Sequence, residues 1–366
     1  MMKFPLAILL LCFGCHTMAA PAECARQVDT LRLFYINGMF TKYSAYLDNR
    51  LALQAFQTRY LSDKYPSAGA VVGSYNESES VTRQFLQVAK QKMQDRAESS
   101  TIFDKWVEGL SQVITGGVLT LVPNQEVLIQ IIAESYAAVS PGIQGEGDYL
   151  GAASALRRTM DGCSRTILVT HSQGNFYGNA VFNELYSGYA FPGNWPMRDY
   201  PMLAQMSIAN PADSVGGNAG TEFEQMVAHI TNDTDAIMGL VRELLGSIDA
   251  NYQADFTDSD VSGHGLVTSY LESPGQAATI AAEMLAMADQ MVPMPMFNQW
   301  PSASSAFSSH GASTKSGILD LNFTYGGPYR YQQLSESVIE SFLGAESQGS
   351  FFNANIRGVY PYRKIE

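Results

Sequence analysis

The side chains best suited to covalent chemistry in this sequence are Ser172, within Thr170-His171-Ser172-Gln173-Gly174, and the histidines and aspartates that follow it. A serine hydroxyl is a weak nucleophile until a base takes its proton, and an imidazole does this best when a carboxylate orients it. Three histidines follow Ser172: His229, His264 and His310. His264 lies in Ser262-Gly263-His264-Gly265-Leu266, where flanking glycines let a loop deliver the ring into a site. His229 falls inside an expected strand and reads as structural, and His310 falls in a serine-rich stretch expected to be a mobile loop. The carboxylate candidates are Asp213, Asp233 and Asp235, each of which could equally form a turn or cap a helix.

These residues need elements to hold them. Ile167-Leu168-Val169 is an apolar run that suits a buried parallel strand, and Phe176 to Tyr186 has helical spacing. Ser172 therefore sits on a tight turn between strand and helix. Leu31 to Phe40 reads as the first strand, Thr41 to Phe56 as a helix, and Ala68 to Tyr75 as a second strand. Asp148 to Met160 is the helix leading into the serine strand. Met202-Leu203-Ala204-Gln205-Met206-Ser207-Ile208 gives another strand ending near Asn210, and a further one begins at Met226. This alternation predicts an α/β fold: a mostly parallel sheet with helices on both faces. Between residues 77 and 145 there is more helical chain than one crossover needs, which fits either a helical cap before the serine strand or plain core packing. From residue 296 the texture changes to a C-terminal extension. It is loop-like through Ser302 to Gly317 and strand-like at Ile318 to Tyr325, with Ser335 to Leu343 a short helix. Tyr325, Tyr329 and Tyr331 there fit either a ligand surface or packing.

The strand, serine turn and helix resemble the nucleophile elbow of the α/β-hydrolase superfamily, in its lipase and esterase branch. Gly174 fits the G-x-S-x-G pattern, and Thr170 replaces its first glycine. The resemblance covers roughly Leu31 to Met291 and implies the chain order serine, acid, histidine. It makes Ser172 the nucleophile and His264 the base. It favours Asp235 as the acid, just past a strand and before an apolar pair, with Asp233 the close competitor. Asn37-Gly38-Met39, after the first strand, resembles the loop that brings an oxyanion-hole amide beside the elbow, with Asn37 where the family has histidine. By position the amides of Met39 and Gln173 would then hold the oxyanion. The implied activity is hydrolysis of carboxylic esters, of lipids or other acyl compounds, through an acyl-enzyme on Ser172. Two alternatives stay open: a binding or surface protein with a vestigial catalytic set, and an acyltransferase using the same triad.

A net charge of −13 and 16% charged residues argue against nucleic acid as a partner. A lipid ester substrate would entail transient contact with a membrane or lipid surface. Asp255, Asp258 and Asp260 miss the EF-hand spacing and read as a solvated loop; no zinc motif occurs, so neither metal nor cofactor is expected. Residues 1–22 have the pattern of a signal peptide: Lys3, an apolar run from Pro5 to Gly14, and cleavage after Ala19 or Ala22. An N-terminal membrane anchor is the alternative. A lipid anchor at Cys15 fits less well, because Cys12 stands where such signals prefer leucine. The expected protein is therefore exported, to the periplasm or beyond, with residues 23–295 as the hydrolase domain. Export leaves Cys24 and Cys163, which read as one disulfide between the starts of two neighbouring strands of that fold; buried free thiols are the alternative.

Overall fold

Five short strands, rich in aliphatic residues, lie side by side in a computed structural model that describes residues 20–38, 41–75, 79–116, 121–139, 147–256 and 259–366. They are β1 (Leu31–Ile36), β2 (Val72–Ser74), β3 (Arg165–His171), β4 (Leu203–Ile208) and β5 (Val227–Ile230), all parallel, in the order β2-β1-β3-β4-β5. Every residue of β3 and β4 is buried, as expected of central strands covered on both sides. β3 runs in register with β1 from Leu31 opposite Arg165 to Ile36 opposite Thr170, and with β4 from Thr166 opposite Leu203 to His171 opposite Ile208. The carboxyl ends of β1, β3 and β4 therefore finish together, and Ser172 comes next in the chain.

Helices flank this sheet in packed groups. The first comprises α1 (Tyr43–Phe56) with its π-helical extension Gln57–Leu61. Then come α2 (Glu79–Arg96), α3 (Ser100–Gly116), α4 (Gln125–Val139), α5 (Gly147–Met160) and α6 (Gly174–Gly188), followed by α7 (Ala236–Leu245) and α8 (Pro274–Gln290). α5 packs on α6, which lies against β1, β3 and β4; α8 lies against β3, β4 and β5 and meets the Gln57–Leu61 turn. The three helices α2, α3 and α4 pack on one another, and α4 rests on α7. The helical insertion expected between 77 and 145 is thus seated on the helix that begins at Asp235.

The strand at Ala68 to Tyr75 is shorter than its sequence suggests, with only Val72 to Ser74 paired along β1. Gly73 explains why this edge tolerates so little side chain: a Cβ there would lie 2.2 Å from the Tyr35 carbonyl oxygen.

Beyond α8 the chain builds a second sheet. Its strands are β6 (Trp300–Pro301), β7 (Phe307–Ser313), β8 (Ile318–Phe323), β9 (Gly327–Tyr331) and β10 (Tyr362–Lys364), all antiparallel, in the order β10-β9-β8-β7-β6. With α9 (Glu336–Leu343, capped by Ser335) and α10 (Gln348–Asn355) it encloses its own core around Phe307, Leu319, Leu321, Ile339, Phe342 and Phe352. This corrects the loop expectation for 307–313 and for His310. His310 is buried, with Trp300, Phe307 and Phe342 around its ring, and burial holds its pKa below that of a free imidazole. Tyr325, Tyr329 and Tyr331 line an open groove of about 620 Å³ together with Arg357 and Tyr362.

Two buried arginines tie the sheets together. Arg330 grips Asp320 through Nε and Nη2, both at 2.8 Å, and donates to the carbonyls of Pro293 and Met294. Arg165, the first residue of β3, donates to the carbonyls of Ala288 and Met291 and to Ser316 Oγ. Asp29, just before β1, accepts from Ser313 and Thr314. The second sheet is thus anchored at the amino ends of β1 and β3, the end opposite Ser172. A disulfide joins Cys24 and Cys163, whose Cα atoms lie 5.1 Å apart just ahead of the same two strands. Residues 1–19, which carry most of the expected signal peptide and both Cys12 and Cys15, lie outside the described residues, as do Met39 and Asp258. Among the described residues no helix is long and apolar enough to cross a membrane.

Candidate active site

The turn after β3 forces Ser172 into a left-handed backbone conformation, with φ of 55°. Such a conformation costs a non-glycine residue on the order of 1–3 kcal/mol and persists only where the surroundings enforce it. Here they do. The Ser172 amide donates to the Ile208 carbonyl, and Asn175 Nδ2 donates to the carbonyls of Ser172 and Ile208 at 2.7 and 2.9 Å. Asn175 Oδ1 in turn accepts from the hydroxyls of Thr170 and Ser207. Asn175 was not singled out from the sequence, although its place three residues after the serine is where a side chain can reach back to the turn.

Close approach of strand and helix decides which small residues are required. A Cβ on Gly174 would stand 2.6 Å from the Ile36 carbonyl and 2.7 Å from that of Asn37. A Cβ on Gly38 would meet Ser172 Cβ at 2.9 Å. Thr170, in place of the first glycine, is accommodated because Gly178 on α6 leaves room: a Cβ there would lie 2.3 Å from Thr170 Cγ2. The crowding expected from a β-branched residue is therefore relieved one helical turn away.

The candidate base and acid converge on this turn. His264 Nε2 lies 2.8 Å from Ser172 Oγ, and His264 Nδ1 lies 2.9 Å from Asp235 Oδ2. Nδ1 must donate to the carboxylate, so Nε2 faces Ser172 as the acceptor of its proton. Ser172, His264 and Asp235 are 7%, 5% and 1% exposed, so the whole relay is shielded from bulk water. Burial favours the neutral ring, but the charge and hydrogen bond of Asp235, joined by the charge of Asp260, raise the His264 pKa above the ordinary value. Asp235 also caps α7, accepting from the Met238 amide, and takes a 2.8 Å hydrogen bond from the Tyr270 hydroxyl. Burial and the neighbouring Asp235 push Tyr270 well above the usual phenol range, so it remains a donor.

Asp233 stands apart from this relay. Its Oδ1 accepts from the Ala254 amide at 3.0 Å, a bond that ties this loop to the chain 21 residues on. Asp213 bonds the hydroxyl of neighbouring Ser214. His229, on β5, meets the Asp249 carbonyl and is not brought to Ser172. Gln173 directly follows Ser172 at the amino end of α6, where the helix favours negative charge; its carboxamide is buried with neither polar atom hydrogen bonded. Met39, the other expected oxyanion donor, lies outside the described residues. Asn37 is fully buried and its Nδ2 reaches the Gly38 carbonyl at 2.7 Å, so its side chain braces the loop before Met39.

Two further residues border the relay. His171 Nε2 lies 2.8 Å from the His264 carbonyl, which it can only meet as a donor. Burial, with repulsion from His264, pulls His171 down to about 3, so it stays neutral. Asp260 was expected in a solvated loop and is instead fully buried, where it accepts from the Ser262 amide and hydroxyl, the Gly265 amide and the Ser269 hydroxyl, around the turn that carries His264. No cluster of three or more histidine, cysteine or carboxylate side chains suited to a metal occurs among the described residues.

Comparison with known proteins bears on the second sheet. Residues 303–360 match the KTSC domain family. A crystallised KTSC domain protein from Yersinia pestis is 33% identical, over 18% of this chain and 93% of its own, with a TM-score of 0.18. No curated protein matches the chain.

Proposed function

We propose that this protein is an exported serine hydrolase of the α/β-hydrolase type that cleaves carboxylic esters, with acyl esters as its substrate class. The observation that carries this reading is the unbroken, buried relay from Ser172 Oγ to His264 to Asp235, at 2.8 and 2.9 Å, on a turn with the serine at φ 55°. The carboxyl ends of β3 and β5 deliver Ser172 and Asp235 to one place, and the turn before Leu266–Leu271 brings His264 between them.

In this mechanism His264 Nε2 takes the Ser172 proton as Oγ forms a bond to the ester carbonyl carbon. The carbonyl π electrons move to oxygen, and the oxyanion is held by backbone amides, with Gln173 and Met39 as the donors. The imidazolium, stabilised by Asp235, gives its proton to the departing alcohol as the tetrahedral intermediate collapses and the C–O bond breaks. Water then attacks the acyl-serine as His264 accepts its proton, and His264 returns that proton to Ser172 Oγ as the acyl C–O bond breaks and the acid product leaves. The Cys24–Cys163 disulfide supports export, since such bonds persist in oxidising compartments. Helix α4 packs on α7, the helix that Asp235 caps.

Short-chain and medium-chain nitrophenyl esters test the proposal. The wild-type protein should turn them over, and Ser172→Ala and His264→Ala should each lose at least about 10³-fold in kcat. Equal turnover by wild type and Ser172→Ala would remove Ser172 as the nucleophile. A folded wild-type protein without turnover in water, but with product when a second alcohol is added, would reassign the acyl-enzyme to a transferase.

A further inference from the structure

We infer that Asp260 is a positioning residue for His264, a second buried carboxylate that fixes the turn carrying the imidazole within reach of Ser172 and Asp235. This inference rests on the reading of His264 as the general base. The geometry is specific. Asp260 Oδ1 accepts from the Ser262 hydroxyl at 2.6 Å and the Ser262 amide at 3.2 Å. Oδ2 accepts from the Gly265 amide at 2.7 Å and the Ser269 hydroxyl at 2.6 Å. The four donors bracket His264 on both sides in sequence, so one carboxylate pins the chain immediately before and after the ring. The Ser262 hydroxyl also approaches the His264 amide at 3.3 Å, closing a small network around that residue.

This turn needs such a clamp. Gly263 has φ of 67°, and a Cβ there would lie 2.4 Å from the Thr234 carbonyl oxygen, so the turn is folded tightly against the loop bearing Asp235. A glycine-flanked loop has many conformations to lose, and an imidazole displaced by an ångström would no longer reach Ser172. Among the described residues, the side chains facing His264 are Ser172 and His171 at the end of β3, Asp235 from the cap of α7, Asp260 from its own turn, and Tyr270 near Asp235. Of these, Asp235 and Asp260 carry negative charge. Burial alone would raise Asp260, but the hydrogen bonds from Ser262, Ser269 and Gly265 and the influence of His264 hold it below the ordinary carboxylate range. It is therefore ionised throughout the pH range in which His264 titrates, and its charge favours the imidazolium.

Asp260→Asn separates this role from a merely structural one. The variant should lose about tenfold or more in kcat with KM little changed, a part of the 10²–10⁴ that a general base contributes. Its acid limb in kcat/KM should move to lower pH, because removing a buried negative charge makes protonation of His264 harder. The same downward shift should appear in the ring titration of His264 followed by NMR in a Ser172→Ala background, where no catalysis is needed. A downward shift there with no ester turnover by the wild type would refute the hydrolase reading and leave the Asp260 assignment standing. A folded Asp260→Asn protein whose His264 titrates as in the wild type, or at higher pH, overturns the assignment. Should Asp260→Asn fail to fold, Ser262→Ala and Ser269→Ala each remove one donor and keep the charge. Their kcat should fall several-fold with the acid limb in place, and wild-type kcat in both would overturn the clamp.

Discussion

At the scale of single residues, His264 is the group whose protonation switches the site off in the proposed mechanism. A base must be neutral to accept the Ser172 proton, so activity falls as pH drops through the folded pKa of His264. That pKa is raised, which places the acid limb of kcat/KM above the roughly 6.5 of an ordinary imidazole. His171, held near 3, does not contribute to that limb. A limb centred below the ordinary value would contradict the electrostatic picture. Exchanging the carboxylates separately distinguishes the two candidate acids. Asp235→Asn should cost about 10³–10⁴-fold in kcat, because the wrong tautomer of His264 is then favoured. Asp233→Asn should retain most activity, since Asp233 serves the Ala254 amide instead. The juxtaposition of Ser172 and His264 was legible because only three histidines follow Ser172 and glycines flank His264, whereas Asp235 was favoured over Asp233 and Asp213 only through the resemblance. Asp260, Tyr270 and Asn175 were not legible. Sequence gives a side chain's type but not the direction it faces, and Asp260, among serines, glycines and other aspartates, has the composition of a solvated loop while its carboxylate points inward.

At the scale of elements, the elbow depends on one compensation, Thr170 against Gly178. Gly178→Ala would drive a methyl group to 2.3 Å from Thr170 Cγ2 and 3.0 Å from Gln205 Nε2. Overpacking of this kind costs about 1–3 kcal/mol, measurable as a lowered denaturation midpoint. Thr170→Ser removes Cγ2 and keeps the hydroxyl that bonds Asn175, so the double variant should recover most of the loss. Additive losses in that cycle would show that the two positions are not coupled. The central strands and the serine helix were legible because long apolar runs and helical spacing survive tertiary packing. β7 was not, for an identifiable reason. Gly311 lies where a Cβ would sit 1.9 Å from the Met296 carbonyl, so close packing demands small residues there and the strand looks like a serine-rich loop.

For the whole molecule, the second sheet and the candidate site lie at opposite ends of the parallel sheet. β3 begins at Arg165, bonded toward the second sheet, and ends at His171, beside Ser172; at about 3.3 Å per residue its seven residues separate the two by roughly 20 Å. The Cys24–Cys163 bridge fastens the same amino ends across 139 residues. Replacing both cysteines by serine should cost about 3–5 kcal/mol of stability on the chain-entropy model, read as a lower unfolding midpoint in non-reducing buffer. Ester turnover below that midpoint should persist, because the relay lies at the far end; an equally stable variant would mean the bridge constrains little. The central claim concerns Ser172 itself, and its most direct measurement is covalent. The disulfide-bonded protein should be treated with a fluorophosphonate, digested, and the adduct located by peptide mass spectrometry. The account predicts a single adduct on Ser172, absent from Ser172→Ala and strongly slowed in His264→Ala. An adduct at another serine, or none on a folded and oxidised protein, would contradict it.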